Sequence, residues 1–118
     1  MKIIFHETDA FIIAELDDND FIISETQDAV DLLGESGAVD CSRIIIRQSN
    51  LHPDFFKLQT GLAGDILQKF SNYRVKLAIV GDFSKYESNS LQDFIRESNK
   101  GNSLYFVDNL NDAMIKII

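Results

Sequence analysis

Two short runs, "SRIIIRQ" at residues 42–48 and "RVKLAIV" at 74–80, constrain the fold more than any other feature. A strand with one wet face alternates apolar and polar side chains, whereas consecutive apolar positions require cover on both faces. Such strands belong inside a parallel sheet, where neighbours are joined by crossovers of a dozen or more residues. The stretch between the runs, "LQTGLAGDILQKF", has helical spacing and the length to be that crossover. Its two glycines are odd, because each costs about 1 kcal/mol relative to alanine in a helix interior. If the helix begins inside the stretch, Thr60 stands at its mouth as an N-cap, with Gly61 and Gly64 in the first turn. The alternative is one unbroken helix from residue 53 to residue 70, with a small-residue packing face.

The remaining elements fall around this core. Residues 2–6 and 10–16 flank the turn Glu7-Thr8-Asp9 and read as an antiparallel hairpin. "FIIS" (21–24) reads as a short third strand, and Ser24 with Gln27 as a capping box for a helix that stops near Gly34. A second crossover covers 84–98, where Leu91, Phe94, Ile95 and Ser98 keep helical spacing and Gly101 ends the helix. Ser84 and Glu87 supply a capping box there. "SLYFV" (103–107) is the last strand, and Asp108 or Asn109 caps a final helix carrying Leu110, Ala113, Met114 and Ile117. The expected fold is α/β: one domain over 1–118, with a mixed sheet, an antiparallel start and right-handed parallel β-α-β crossovers. At 118 residues and 45% hydrophobic, the chain buries a core without disulfides or metals.

Charge narrows the classes of partner. Residues 1–40 hold eleven acids and one base, whereas 41–118 hold eight acids and ten bases. An acidic front end repels phosphate backbones, so nucleic acid is excluded as a partner. Its plain role is solubility and protection of a sheet edge. The single cysteine, Cys41, fits a reducing compartment and reads as a packing residue at the entry to a central strand. No signal peptide is visible and no run approaches a membrane span, so the expected location is the cytoplasm, with no membrane partner.

Catalytic motifs are missing from the sequence. His6, His52 and Cys41 are far apart, with no metal-ligand spacing. There is no phosphate loop, no nucleophile elbow and no dinucleotide fingerprint. The expectation is a protein that is not an enzyme and needs no cofactor or metal. In open α/β sheets, ligands gather beyond the carboxyl ends of the strands. Here those ends offer Gln48-Ser49-Asn50-Leu51-His52, the loop from Gly81 to Tyr86, and Asp108-Asn109. Asp82 reads as the turn residue closing its strand. Phe55, Phe56, Asp82, Phe83, Lys85 and Tyr86 are therefore the candidate ligand or partner loop. Two functions follow. The first is a non-enzymatic regulatory or protein-interaction module, with a homodimer among its open assemblies. The alternative is a small-molecule carrier or sensor with its pocket over the strand ends, lined by the four aromatics.

The order of elements resembles sulfate-transporter and anti-sigma-factor antagonist (STAS) domains, whose third strand leads into an Asp-Ser-Ser-Gly-type loop and a "GLGxxL" helix. Gln59-Thr60-Gly61-Leu62-Ala63-Gly64 holds that place, and "YFVDNLNDAMIKI" is similar to the closing strand and helix of those domains. The resemblance makes Thr60 a candidate phosphoacceptor as well as a cap. Gln59 stands where those domains have aspartate, which favours the cap. The stretch from Phe55 to Asn102, "FFKLQTGLAGDILQKFSNYRVKLAIVGDFSKYESNSLQDFIRESNKGN", is identified as the core of a bacterial family known only as domain of unknown function four-one-eight-zero. That family implies no activity, substrate or site residues.

Overall fold

The computed structural model describes residues 1–37 and 41–118. Five strands form one sheet in chain order: β1 (Ile3–Glu7), β2 (Ile12–Leu16), β3 (Arg43–Arg47), β4 (Lys76–Val80) and β5 (Leu104–Val107). β1 and β2 are the antiparallel hairpin, and every later pairing is parallel. The two doubly apolar runs are thus neighbours in the interior, with Ile44 opposite Leu77 and Ile46 opposite Ile79.

The helices are α1 (Thr26–Gly37), α2 (Leu62–Asn72), α3 (Asn89–Lys100) and α4 (Leu110–Lys116). Side-chain alternation divides the interior in two. Ala14, Ile44, Ile46, Leu77, Ile79 and Phe106 face a large core closed by α1, α2 and α3. Ile13, Ile45, Ala78 and Tyr105 face a smaller core closed by Ala113 and Ile117, from α4 and its end. Placing all three crossover helices on one side is what crossovers of a single hand produce when strands are added in sequence.

Several local expectations are corrected. Residues 21–24 form no strand. Ile23 makes only an isolated bridge to Leu51, because the backbone there bonds the loop after β3 instead of a sheet edge. At the start of α1, Asp28 rather than Gln27 reaches back, accepting from the amides of Ser24 and Glu25 at 2.9 and 3.3 Å. Gln27 bonds Asp31 instead, and α1 continues past Gly34 to Gly37. α3 begins at Asn89 with Ser88 as its cap, since the Ser84 hydroxyl is already held by Asp82. The unbroken helix from 53 to 70 is replaced by 3-10 turns at Pro53–Phe56 and Leu58–Thr60, followed by α2. Gly61 caps α2 with φ +79°, a left-handed conformation that glycine adopts without strain. Gly64 falls in the first turn.

One charge is buried on the face opposite the crossover helices. Glu15 on β2 is 4% exposed. It accepts from the Arg47 guanidinium at 2.6 Å and from His6 Nε2 at 2.8 Å, while Arg47 also donates to the Leu16 carbonyl. An ionised carboxylate only accepts, so His6 Nε2 carries the proton in this contact. Burial pushes the Glu15 pKa up, but the bonds from Arg47 and His6 and the Arg47 charge outweigh it and hold the carboxyl below its ordinary 4.5. A carboxyl lowered by folding stabilises fully above its unfolded value and loses that contribution as pH falls through the folded value. Glu15→Gln should therefore cost about 1–3 kcal/mol at neutral pH, because the amide keeps one acceptor oxygen and turns an NH2 group toward the other part-buried donor. Equilibrium denaturation of both proteins from about pH 7 to about pH 3 should show the gap closing below the ordinary glutamate value. A gap constant with pH would mean the charge contributes nothing.

Candidate functional site

The carboxyl ends of β3 and β4 open onto a cavity of about 730 Å³, lined by Ile22, Gln48, Ser49, Leu51, Pro53, Phe56, Lys57, Lys85 and Tyr86. Its shape follows from the chain's path after β3. Arg47 is followed by a 3-10 turn, Gln48–Asn50, inside which Asn50 is 2% exposed. The Asn50 carbonyl oxygen of the side chain accepts from the Arg47 amide, and its NH2 group donates to the carbonyls of Asp18 and Phe21. This one side chain ties the loop after β2 to the loop after β3. The backbone completes the link, with Ile23 N–H to the Asn50 carbonyl at 2.7 Å and His52 N–H to the Ile23 carbonyl at 3.0 Å. Ile22 is thereby held at the cavity as an exposed apolar side chain.

The opposite wall is aromatic. Phe56 and Tyr86 are stacked, with ring centroids 4.9 Å apart and planes 14° from parallel. Gln48 fixes this pair by two bonds: its Nε2 donates to Tyr86 Oη at 2.6 Å and its Oε1 accepts from the Asp82 amide at 3.1 Å. Because Tyr86 Oη accepts from an NH2 group there, its own proton points elsewhere and remains available to a ligand. Gly81 makes room for the arrangement, since a Cβ at that position would sit 2.5 Å from Gln48 Oε1 and 2.6 Å from Gln48 Cβ.

Of the six loop residues read from the sequence, Phe56, Lys85 and Tyr86 line this cavity. Phe55 and Phe83 lie beneath it in the large core, 1% and 8% exposed, each in an edge-on aromatic contact. Asp82 is outside the lining. It accepts from the hydroxyl and the amide of Ser84, and those two bonds, the hydroxyl's foremost, hold its carboxyl below the ordinary aspartate range. Asp82 is a turn-maker that leaves its amide to Gln48. Gln48 and Leu51 were placed by the sequence in the loop beyond β3 but not among the six candidates, and Lys57 and Ile22 were not singled out at all. Gln48 had a legible signal as the first uncharged polar residue beyond an interior strand; Ile22 had none, because its place depends on Asn50.

Thr60 is exposed and lies outside the cavity. Its Oγ1 accepts from the Leu62 amide at 3.2 Å and donates to the carbonyl of Asp54 or Lys57. Thr60 is therefore not the N-cap expected from the sequence, a position that Gly61 holds; from one residue before it, Thr60 bonds the first amide of α2 and braces the 3-10 turns. His52 acts similarly at its own turn, its Nδ1 accepting from the Asp54 amide. Cys41, 8% exposed, directs its thiol to the carbonyls of Ile12 and Arg43. Among the described residues, no group of three His, Cys, Asp or Glu could hold a metal ion. No helix among them is long and apolar enough to cross a membrane.

The family model described as Domain of unknown function (DUF4180) matches residues 8–117, and the chain belongs to that family. No curated protein and no solved structure matches the chain.

Two substitutions test this construction. Gly81→Ala should displace Gln48 and cost about 1–3 kcal/mol, as overpacking does. The side-chain amide resonances of Gln48 should move while the methyl groups of Ile44 and Ile46 stay in place, and an unmoved Gln48 amide would refute the close approach. Thr60→Ala should cost about 0.5–2 kcal/mol in thermal or chemical unfolding and Thr60→Ser almost nothing. Equal losses from the two would show that the hydroxyl's bonds contribute nothing.

Proposed function

We propose that the protein is a cytoplasmic small-molecule carrier or sensor that holds its ligand over the carboxyl ends of β3 and β4 and performs no chemistry on it. The observation that carries this reading is the cavity, with its preset wall of stacked Phe56 and Tyr86. Its volume falls within the range of sites for small organic molecules, which are mostly apolar with a few fixed polar groups. The polar groups here are an amide, a phenol, a hydroxyl and two ammonium groups. That set orients a ligand without an acid and base pair to exchange its protons.

The STAS-like reading of the fold is supported by the consecutive strand order and by Thr60 at the mouth of the helix after β3. It adds a role in regulation: the filled or empty state of the cavity would be read by a protein partner.

Native mass spectrometry of the protein purified from its own host tests the ligand reading. The wild-type chain should carry a small organic molecule that is released on unfolding. Ser49→Trp, which places an indole in the cavity, should carry none. The reading fails if wild type is bare, or if both proteins carry the same adduct.

A further inference from the structure

Four of the five polar side chains of the cavity, those of Gln48, Lys57, Lys85 and Tyr86, offer donors, while the Ser49 hydroxyl can donate or accept. Lys57 and Lys85 bring ammonium groups. Tyr86 has its hydroxyl proton free because its oxygen accepts from Gln48, and the Gln48 NH2 group has a second proton beyond the one given to Tyr86. No aspartate or glutamate is among the described residues that line the cavity. That composition runs against the chain, in which acids outnumber bases nineteen to eleven. Both ammonium groups have a carboxylate neighbour outside the lining, Asp82 for Lys85 and Asp54 for Lys57. Asp54 meets Lys57 at 3.6 Å, but both are well exposed, and such a pair holds its partner weakly. Lys85 stands over the Tyr86 ring at 5.6 Å, and both residues line the cavity. Leu51, Pro53 and Phe56 supply the apolar part of the same lining.

From this we infer that the ligand is an organic monocarboxylate with a flat or branched apolar body. The body packs between Leu51, Pro53 and the Phe56 ring, and the carboxylate meets Lys57, Lys85 and the Tyr86 hydroxyl. This inference rests on the ligand reading above and names the class of molecule. A cation would be repelled by the two ammonium groups, a neutral polyol would gain nothing from their charge, and an inorganic anion would leave the apolar lining wet.

Three probes of one shape separate the possibilities: 2-naphthoate, 2-naphthalenemethanol and 2-naphthylmethylammonium. Each is titrated into the isotope-labelled protein, and affinity is read from the amide shifts of Gln48, Ser49 and Tyr86. Naphthoate should bind about tenfold more tightly than the alcohol, and the ammonium probe more weakly than either. Lys57→Gln and Lys85→Gln should each lower naphthoate affinity about threefold, as loss of one partly exposed ion pair does, and leave the alcohol unchanged. Raising the salt should weaken naphthoate alone. If alcohol and acid bind equally, or the ammonium probe binds best, the anionic assignment is wrong while the ligand reading stands. If no probe shifts these amides, both are wrong.

Discussion

Ile44, Ile45 and Ile46 are each fully buried and face alternate cores, so the central strand is desolvated on both sides over its whole middle. Each such side chain contributes about 1.5–3 kcal/mol on burial. A shift of register by one residue would exchange the large and small cores and bring Arg43 and Arg47 into apolar surroundings. That constraint reaches the cavity directly. With β3 pinned, Arg47 falls where it can neutralise Glu15, and Gln48 is the first side chain past the sheet. Asn50 then lies where it can tie down the preceding loop.

Much of this was legible in the residues. The doubly apolar runs announced β3 and β4 as parallel neighbours, the hairpin showed in two apolar stretches around a turn, Gly101 marked the end of α3, and Asn109, one of two candidates, caps the start of α4. What the sequence hid depended on contacts made across long stretches of chain. "FIIS" has the composition of a strand, yet its backbone is claimed by Asn50 and His52 before any sheet edge can take it. "SKYE" has the form of a capping box, but Asp82 competes for the same hydroxyl from two residues away. The candidate site followed the same division. Its neighbourhood could be read from the rule that ligands gather at strand carboxyl ends. The split between lining and core among Phe55, Phe56, Phe83 and Tyr86 could not, because it depends on which ring stacks against which.

The site also arises in an unusual way for an open α/β sheet. Such sheets commonly bind ligands at a switch point, where successive crossovers leave to opposite faces and a crevice opens between them. Here the strands are added in one direction and α1, α2 and α3 lie on one face, so the crossovers create no switch point. The concavity comes from the connections instead. Three 3-10 turns between β3 and α2 raise one wall above the sheet, and the Asn50 tie raises the other. The floor is the paired sheet, and the walls are loops held by the Asn50 and Gln48 side chains together with backbone bonds at Ile23.

Strict chain order in the sheet has a kinetic meaning. Every strand lies beside the strand that precedes it, so no pairing waits for a distant part of the chain, and the loops to be closed are only one crossover long. Loop-closure cost is then shared out in small steps, which favours rapid folding for a sheet that is mostly parallel. The same order grades the finished molecule. β3 and β4 have partners on both sides, whereas β1 and β5 each have one. Transient opening therefore proceeds from the edges inward, and the two strands beneath the cavity are the last to exchange their amide hydrogens with solvent.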